Sequence, residues 1–167
     1  LDAGAKRVVI SAPAKDDVTP TATPNVGMQT LSKSPITSNA SCTTNCVNPV
    51  VAVMMHNIGI HKAMLNTVHA NTATQKTVDG PGNKSDFRYG RAGAWNIIPT
   101  TTGAAKATTR IIPELEGKFD GISIRVPVIA GSLIDLTFLA ARPTTVAEVN
   151  AAFKTAAAAV IHAAASA

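Results

Sequence analysis

The residues best suited to chemistry gather in one short run, Ser38-Asn39-Ala40-Ser41-Cys42-Thr43-Thr44-Asn45-Cys46. Cys42 stands where small polar residues give way to Val47, Val50, Val51, Met54 and Met55 at helical spacing. A thiol at a helix start meets unpaired backbone N–H groups and the positive end of the helix dipole, and both favour a thiolate. Cysteines are more often small buried hydrophobes, but Ser41, Thr43, Thr44 and Asn45 make a poor apolar slot. Cys42 is therefore the candidate nucleophile. Cys46, one turn further in beside Val47 and Val50, is expected to be buried and structural.

A nucleophilic thiol needs a group that takes and returns its proton. Of the four histidines, His56 and His61 flank a helix end and a turn, and His162 lies in an alanine-rich tail; all three read as surface residues. His69 ends a strand-like alternation just before a polar loop, a common place for a catalytic side chain. Groups suited to an anion recur nearby in sequence. Ser41 and Thr43 bracket the thiol, and Thr102-Gly103 precede a helix whose free N–H groups suit a phosphate. Arg125 is a cation able to grip phosphate oxygens with two donors, and Arg88 and Arg91 punctuate the polar loop. Together they suggest a thiol enzyme acting on a phosphorylated substrate.

The elements that must position these residues follow from periodicity. Lys6 to Ile10 reads as a short buried strand, and Lys15 to Thr37, rich in Pro, Thr, Asp and Ser, as a connection between two units. Beyond Gly59 the period becomes two, with Ala63, Leu65, Thr67 and His69 on one side and Met64, Asn66 and Val68 on the other. Asn71–Arg91 is a long polar loop, and loops of this length are usually functional or disordered. Thr100 to Gly103 opens an alanine-rich helix that Pro113 ends. Two alternating strands are expected over 121–128 and 132–141. In the first, Ile122, Ile124 and Val126 pack inward and Ser123 and Arg125 take the polar face, with Asp135 on the next strand as a structural alternative partner for Arg125. Thr145-Val146-Ala147-Glu148 is a capping box for the last helix.

Composition limits the classes. The 167 residues suit one or two domains, and 46% hydrophobic with 15% charged residues excludes a disordered chain. A net charge of +5 favours an anionic partner, yet only 4% aromatics leaves little for stacking on nucleobases. Two cysteines build no disulfide framework, no histidine spacing gives a zinc motif, and no apolar run reaches the about 18 residues of a membrane span. The expectation is a cytoplasmic enzyme with no metal, no membrane and no nucleic-acid partner.

The string SNASCTTNC at 38–46 resembles the active-site sequence of glyceraldehyde-3-phosphate dehydrogenases. Further matches follow in that family's order: AKRVVISAPAKD, HANTATQKTVDGP, NIIPTTTGAAKA, RVP and VNAAFK. Departures are Asn71, where the family often has an aromatic residue, and Val128-Ile129-Ala130 in place of Thr-Pro-Asn. The resemblance implies an α+β catalytic domain with a largely antiparallel sheet, preceded by the last strand of a doubly wound dinucleotide-binding (Rossmann) domain. Residues 1–37 would be the remnant of that domain and 38–167 the catalytic domain, incomplete at its C-terminus. The glycine-rich strand–helix unit for NAD does not occur in this sequence.

The resemblance also implies roles. Cys42 would attack the aldehyde of glyceraldehyde 3-phosphate, hydride would pass to NAD (NADP is the alternative), and inorganic phosphate would cleave the thioester to 1,3-bisphosphoglycerate, as in glycolysis. His69 would be the base. Ser41, Thr43, Thr102 and Gly103 would hold the attacking phosphate, and Thr72 and Arg125 the substrate's own. Ser11 would approach the nicotinamide, and the loop 72–91 would pack near a neighbouring subunit's cofactor in a homotetramer. Erythrose-4-phosphate dehydrogenase is the alternative within this chemistry. Outside it stand a Cys–His thiol hydrolase and a basic binding module without activity, the latter disfavoured by the ordered matches.

Overall fold

The computed structural model describes residues 1–82 and 86–165. Two sheets organise them. Strands β1 (Val8–Ile10) and β2 (Ile36–Ser38) pair in parallel, with Val9 opposite Thr37. Helix α1 (Cys42–Asn57) then leads into β3 (Ile60–Ala70), the long central strand of a second sheet. That sheet is completed by β4 (Ile98–Thr101), β5 (Phe119–Val126) and β6 (Ser132–Ala140), in the order β4-β5-β3-β6. Helix α2 (Ala104–Ile111) joins β4 to β5, and α3 (Val146–Ala165) closes the chain. The β3–β6 and β4–β5 pairings are antiparallel and β3–β5 is parallel. The sheet is thus mixed, with helices packed on it, as an α+β domain requires.

One face of this sheet is covered and the other is open. Val47, Val51 and Met54 of α1 pack with Leu65, Ala104, Ala105 and Phe119, and Ile134, Leu136 and Phe138 of β6 lean on the same core. Fully burying a side chain such as Leu65 or Met54 contributes about 1.5–3 kcal/mol each, so α1 is seated mainly by its apolar stripe. Gly121 brings β5 close to β3, where a Cβ would stand 2.7 Å from the Leu65 carbonyl oxygen. A buried polar link adds direction to the packing: Thr108 donates to Asn48 Oδ1 at 2.7 Å, and Asn48 Nδ2 donates to Thr23 Oγ1 at 3.1 Å. It ties α2, α1 and the N-terminal segment together at a site without water access.

Several expectations need correction. The predicted face assignment of β5 is inverted: Ser123 is 3% exposed on the helix-covered side, while Ile122 is 51% exposed. The strand runs 119–126 rather than 121–128, because Pro127 ends the ladder that pairs β5 with β3 and β4. Strands β2 and β4 fall in stretches read as connection and helix start; each is short, with Pro35 or Pro99 obscuring the pattern. The alternation of β3 holds, with Leu65 and Thr67 buried and Met64 exposed. The capping box is half present: Thr145 Oγ1 accepts from Glu148 N, but the Glu148 carboxylate turns to Thr144 and Arg142.

Candidate active site

The cysteine sits at the first position of α1, and local sequence explains why the helix starts there. Ala40 takes a left-handed conformation, φ 57°, turning the chain out of β2. Its amide is held by Ser38 Oγ at 3.1 Å. Ser41 is the N-cap, its hydroxyl accepting from Thr44 N at 3.1 Å, a contact of about 1 kcal/mol. Asn45 Nδ2 donates to the carbonyls of Asn39 and Ser41, bracing the turn from the other side. A non-glycine residue at positive φ beside a reactive side chain is strain of the kind found at functional sites.

Strand β3 delivers His69 to the same place. Its Nε2 lies 3.5 Å from Cys42 Sγ, and its Nδ1 lies 2.8 Å from the Ala70 carbonyl oxygen. The parallel register of β5 puts Arg125 directly opposite His69. Arg125 Nη1 approaches His69 Nδ1 to 2.7 Å and the Ala70 oxygen to 3.2 Å, while its Nε is buried without a partner. Burial pushes the guanidinium down from the usual arginine value, opposed by the charges that Cys42 and Tyr89 can carry. Among the described residues no carboxylate pairs with it, so the Asp135 alternative is not realised. Asp135 faces Asn66 across the β3–β6 ladder.

These groups line a cleft of about 200 Å³ together with Ser41, Thr43, Thr102 and Gly103. Thr102 Oγ1 accepts from Ala104 N at 3.2 Å, so the hydroxyl and the first amides of α2 face one opening. Seven of the nine predicted residues therefore converge. Thr72 is outside the lining; it is bonded to Gln75 and Thr74 in the following loop. Ser11 is also outside, although Pro13, two residues on, lines the cleft. Arg88 and Arg91 are engaged locally with Asp86 and Asp79. Thr44, Thr101 and Ser123 line the cleft and were missed; Ser123 shares the face of Arg125, which was the available signal.

Cys46 requires a further correction. It is exposed, like Cys42 one turn before it, rather than buried, because the face of α1 that packs inward carries Thr43, Thr44 and Val47 instead. His56 and His61 are exposed as expected, and the side chain of His162 lies outside the described residues. Chemically, the cleft combines a thiol at a helix start, an imidazole within reach, and an unneutralised guanidinium beside two helix N-termini. Such a set can stabilise a thiolate, relay a proton and hold an oxyanion.

Comparison with known proteins places the chain in a family. Residues 41–164 match the model of the glyceraldehyde 3-phosphate dehydrogenase C-terminal domain. The chain belongs to that family. Among curated relatives it is 49% identical over 156 residues to glyceraldehyde-3-phosphate dehydrogenase of Shimwellia blattae, covering 93% of this chain and 52% of the relative. The enzyme of Serratia odorifera is 51% identical over 157 residues, 94% and 53% respectively. Glyceraldehyde-3-phosphate dehydrogenase 2 of Streptomyces avermitilis is 53% identical over 155 residues, 92% and 46%. The chain spans about half the length of these relatives. Among the described residues no helix is long and apolar enough to cross a membrane.

Proposed function

We propose that this chain carries the thiol centre of a cytoplasmic, phosphorylating glyceraldehyde-3-phosphate dehydrogenase, working by the thioester route in glycolysis. The observation that carries the reading is the 3.5 Å approach of His69 Nε2 to Cys42 Sγ at the start of α1, beside the cationic Arg125. Cys42 Sγ adds to the aldehyde carbon, and His69 takes the proton released from sulfur or from the resulting hydroxyl. Loss of hydride from that carbon leaves a thioester on Cys42. An inorganic phosphate oxygen then attacks, the carbon–sulfur bond breaks, and the thiolate is restored.

Arg125 is proposed to bind the substrate's phosphate, together with Thr72 after movement of its loop. Ser41, Thr43, Thr102 and Gly103 are proposed to hold inorganic phosphate. The Ser41 and Thr102 hydroxyls accept from the amides of Thr44 and Ala104; Thr102 keeps its hydrogen for the anion, and Ser41 shares a 2.7 Å contact with the Thr44 hydroxyl in which either oxygen can donate. Bound NAD would supply the hydride acceptor. This chain's contribution to it is the 11–14 turn at the carboxyl ends of β1 and β2, the usual ligand edge of a doubly wound sheet. Ser38 holds that turn, donating to the Ala12 carbonyl at 2.7 Å, and Pro13 borders the cleft. The fit supports residues 1–37 as the end of a dinucleotide-binding domain, with Ser11 toward the nicotinamide.

A homotetramer belongs to the same proposal, supported by the open sheet face where Met64, Ile122, Leu133 and Leu139 are each more than half exposed. The test is turnover of the intact protein with NAD. Oxidation of glyceraldehyde 3-phosphate should require inorganic phosphate and exceed that of erythrose 4-phosphate. Ester hydrolysis without cofactor, and no NAD reduction, would overturn the reading in favour of a thiol hydrolase.

A further inference from the structure

A second set of cations lies away from the thiol, in a cavity of about 570 Å³ between the N-terminal segment and the outer side of α2. Lys33 lines it from the segment, and Lys106 and Arg110 line it from the helix. None of the residues around this cavity belongs to the cleft that holds Cys42, His69 and Arg125. Lys106 and Arg110 are one turn apart, so their side chains share a face of α2. Lys33 ends a short 3-10 helix, Met28–Lys33. The spacing of the two walls is fixed by packing. A Cβ at Gly27 would stand 2.8 Å from Ile111 Cγ2, and the buried link Thr23–Asn48–Thr108 ties the segment to α2 through α1.

Three cations share this cavity with one carboxylate, that of Asp17. Among the described residues Asp17 pairs with Arg110, and neither Lys33 nor Lys106 pairs with an acid. The Asp17 side chain is 83% exposed, so water competes for it and an incoming anion can take its place on Arg110. Asp16 is no rival, because its carboxylate is taken by the Thr19 hydroxyl and by the amides of Val18 and Thr19. Threonine hydroxyls add little. Thr30 donates to the Gly27 carbonyl at 2.8 Å, and Thr21 to the Thr19 carbonyl at 3.3 Å. The cavity therefore selects by charge, placed at two points on opposite walls. Its volume falls in the range of small-molecule sites, and orthophosphate would fill only part of it. Val18, Pro20 and Ile111 supply apolar wall for the uncharged body of a ligand.

We propose that this cavity is a binding site for an organic diphosphate, with one phosphoryl group on Lys106 and Arg110 and the other on Lys33. Arginine and lysine both hold phosphoryl oxygens through charge-assisted hydrogen bonds. The ligand bridges segment and helix, and so fastens residues 17–33 to α2. The site stands apart from the thiol chemistry proposed above, and either reading can fail without the other.

The test is protection of lysines from acetylation in the intact protein, read residue by residue by peptide mass spectrometry. The probes are inorganic pyrophosphate, ADP and orthophosphate, at ionic strength matched with chloride. At about ten times its dissociation constant, pyrophosphate should slow acetylation of Lys33 and Lys106 about tenfold. Lys62 and Lys118, exposed near the starts of β3 and β5, should be unaffected. ADP should protect at least as well as pyrophosphate, and orthophosphate far less. Lys106→Gln should abolish protection of Lys33, and Asp17→Asn should lower the pyrophosphate concentration that gives half-protection. Equal slowing of all four lysines would mean screening of a basic surface, and protection of Lys106 alone an ion on α2 only; either overturns the proposal. So do orthophosphate as effective as pyrophosphate, ADP weaker than pyrophosphate, Lys33 protection that survives Lys106→Gln, and an Asp17→Asn variant that binds no more tightly.

Discussion

His69 and Arg125 stand directly opposite each other on parallel strands, with Arg125 Nη1 2.7 Å from His69 Nδ1. Parallel pairing at this register carries both side chains to the covered face of the sheet. The imidazole and the guanidinium are therefore positioned by one ladder, and perturbing either strand moves both.

Arg125→Ala should separate phosphorylated from unphosphorylated substrates. A charge-assisted hydrogen bond of roughly 1.5–3 kcal/mol corresponds to a loss of about 10–100-fold in kcat/KM for the phosphorylated aldehyde. Steady-state kinetics with both aldehydes checks this. Equal losses would assign Arg125 a purely structural role.

His69→Asn should slow acylation of Cys42 by about 10²–10⁴-fold, the usual contribution of a positioned general base. Single-turnover measurement of the first NADH formed is the readout. Near-normal turnover would remove His69 from the mechanism.

The two thiols provide a sharper comparison than first expected, since both are exposed. Access alone would alkylate them equally. Proximity to His69 and the helix start should make Cys42 react about tenfold or more faster with limiting iodoacetamide. Peptide mass spectrometry reads the ratio, and equal labelling would deprive Cys42 of any special activation.

Asn48→Ala should destabilise the fold by about 2–4 kcal/mol, since it opens a cavity and leaves the hydroxyls of Thr23 and Thr108 buried without their shared partner. Urea unfolding measures it. A change under about 0.5 kcal/mol, the level of an ordinary surface substitution, would show the link to be dispensable.

Glu148 gives a pH-dependent test. Its hydrogen bonds from Arg142 and Thr144 lower its pKa from 4.5 to about 2. A depressed carboxyl contributes stability above its unfolded pKa and loses it as pH falls through the folded one. The urea-midpoint advantage of the parent over Glu148→Gln should be constant above about pH 5 and should shrink between 4.5 and about 2. An advantage that persists at pH 2 would mean that the glutamate acts through packing.

Much of the site was legible because its parts are local. Small polar residues before an apolar stripe announce the start of α1, and strand alternation puts His69 on the same side as Leu65 and Thr67. What alternation cannot reveal is which side of a strand is covered. Ile122 and Ile124 look like core and Ser123 like surface, yet Ser123 and Arg125 lie on the covered face, lining the cleft with the starts of α1 and α2. Cys46 was misjudged for a related reason: its neighbour Val47 is buried, but a helix turns about 100° per residue. The juxtaposition of β3 and β5 depends on contacts between segments far apart in sequence, and no local pattern encodes it.

The strand order β4-β5-β3-β6 also sets a sequence of events during synthesis. Cys42 emerges before His69, 27 residues later, and Arg125 follows His69 by another 56. Until β5 inserts between β3 and β4, the nascent chain carries its thiol without the guanidinium that belongs beside the imidazole. Partly folded forms of this chain therefore carry the thiol without the assembled cleft around it.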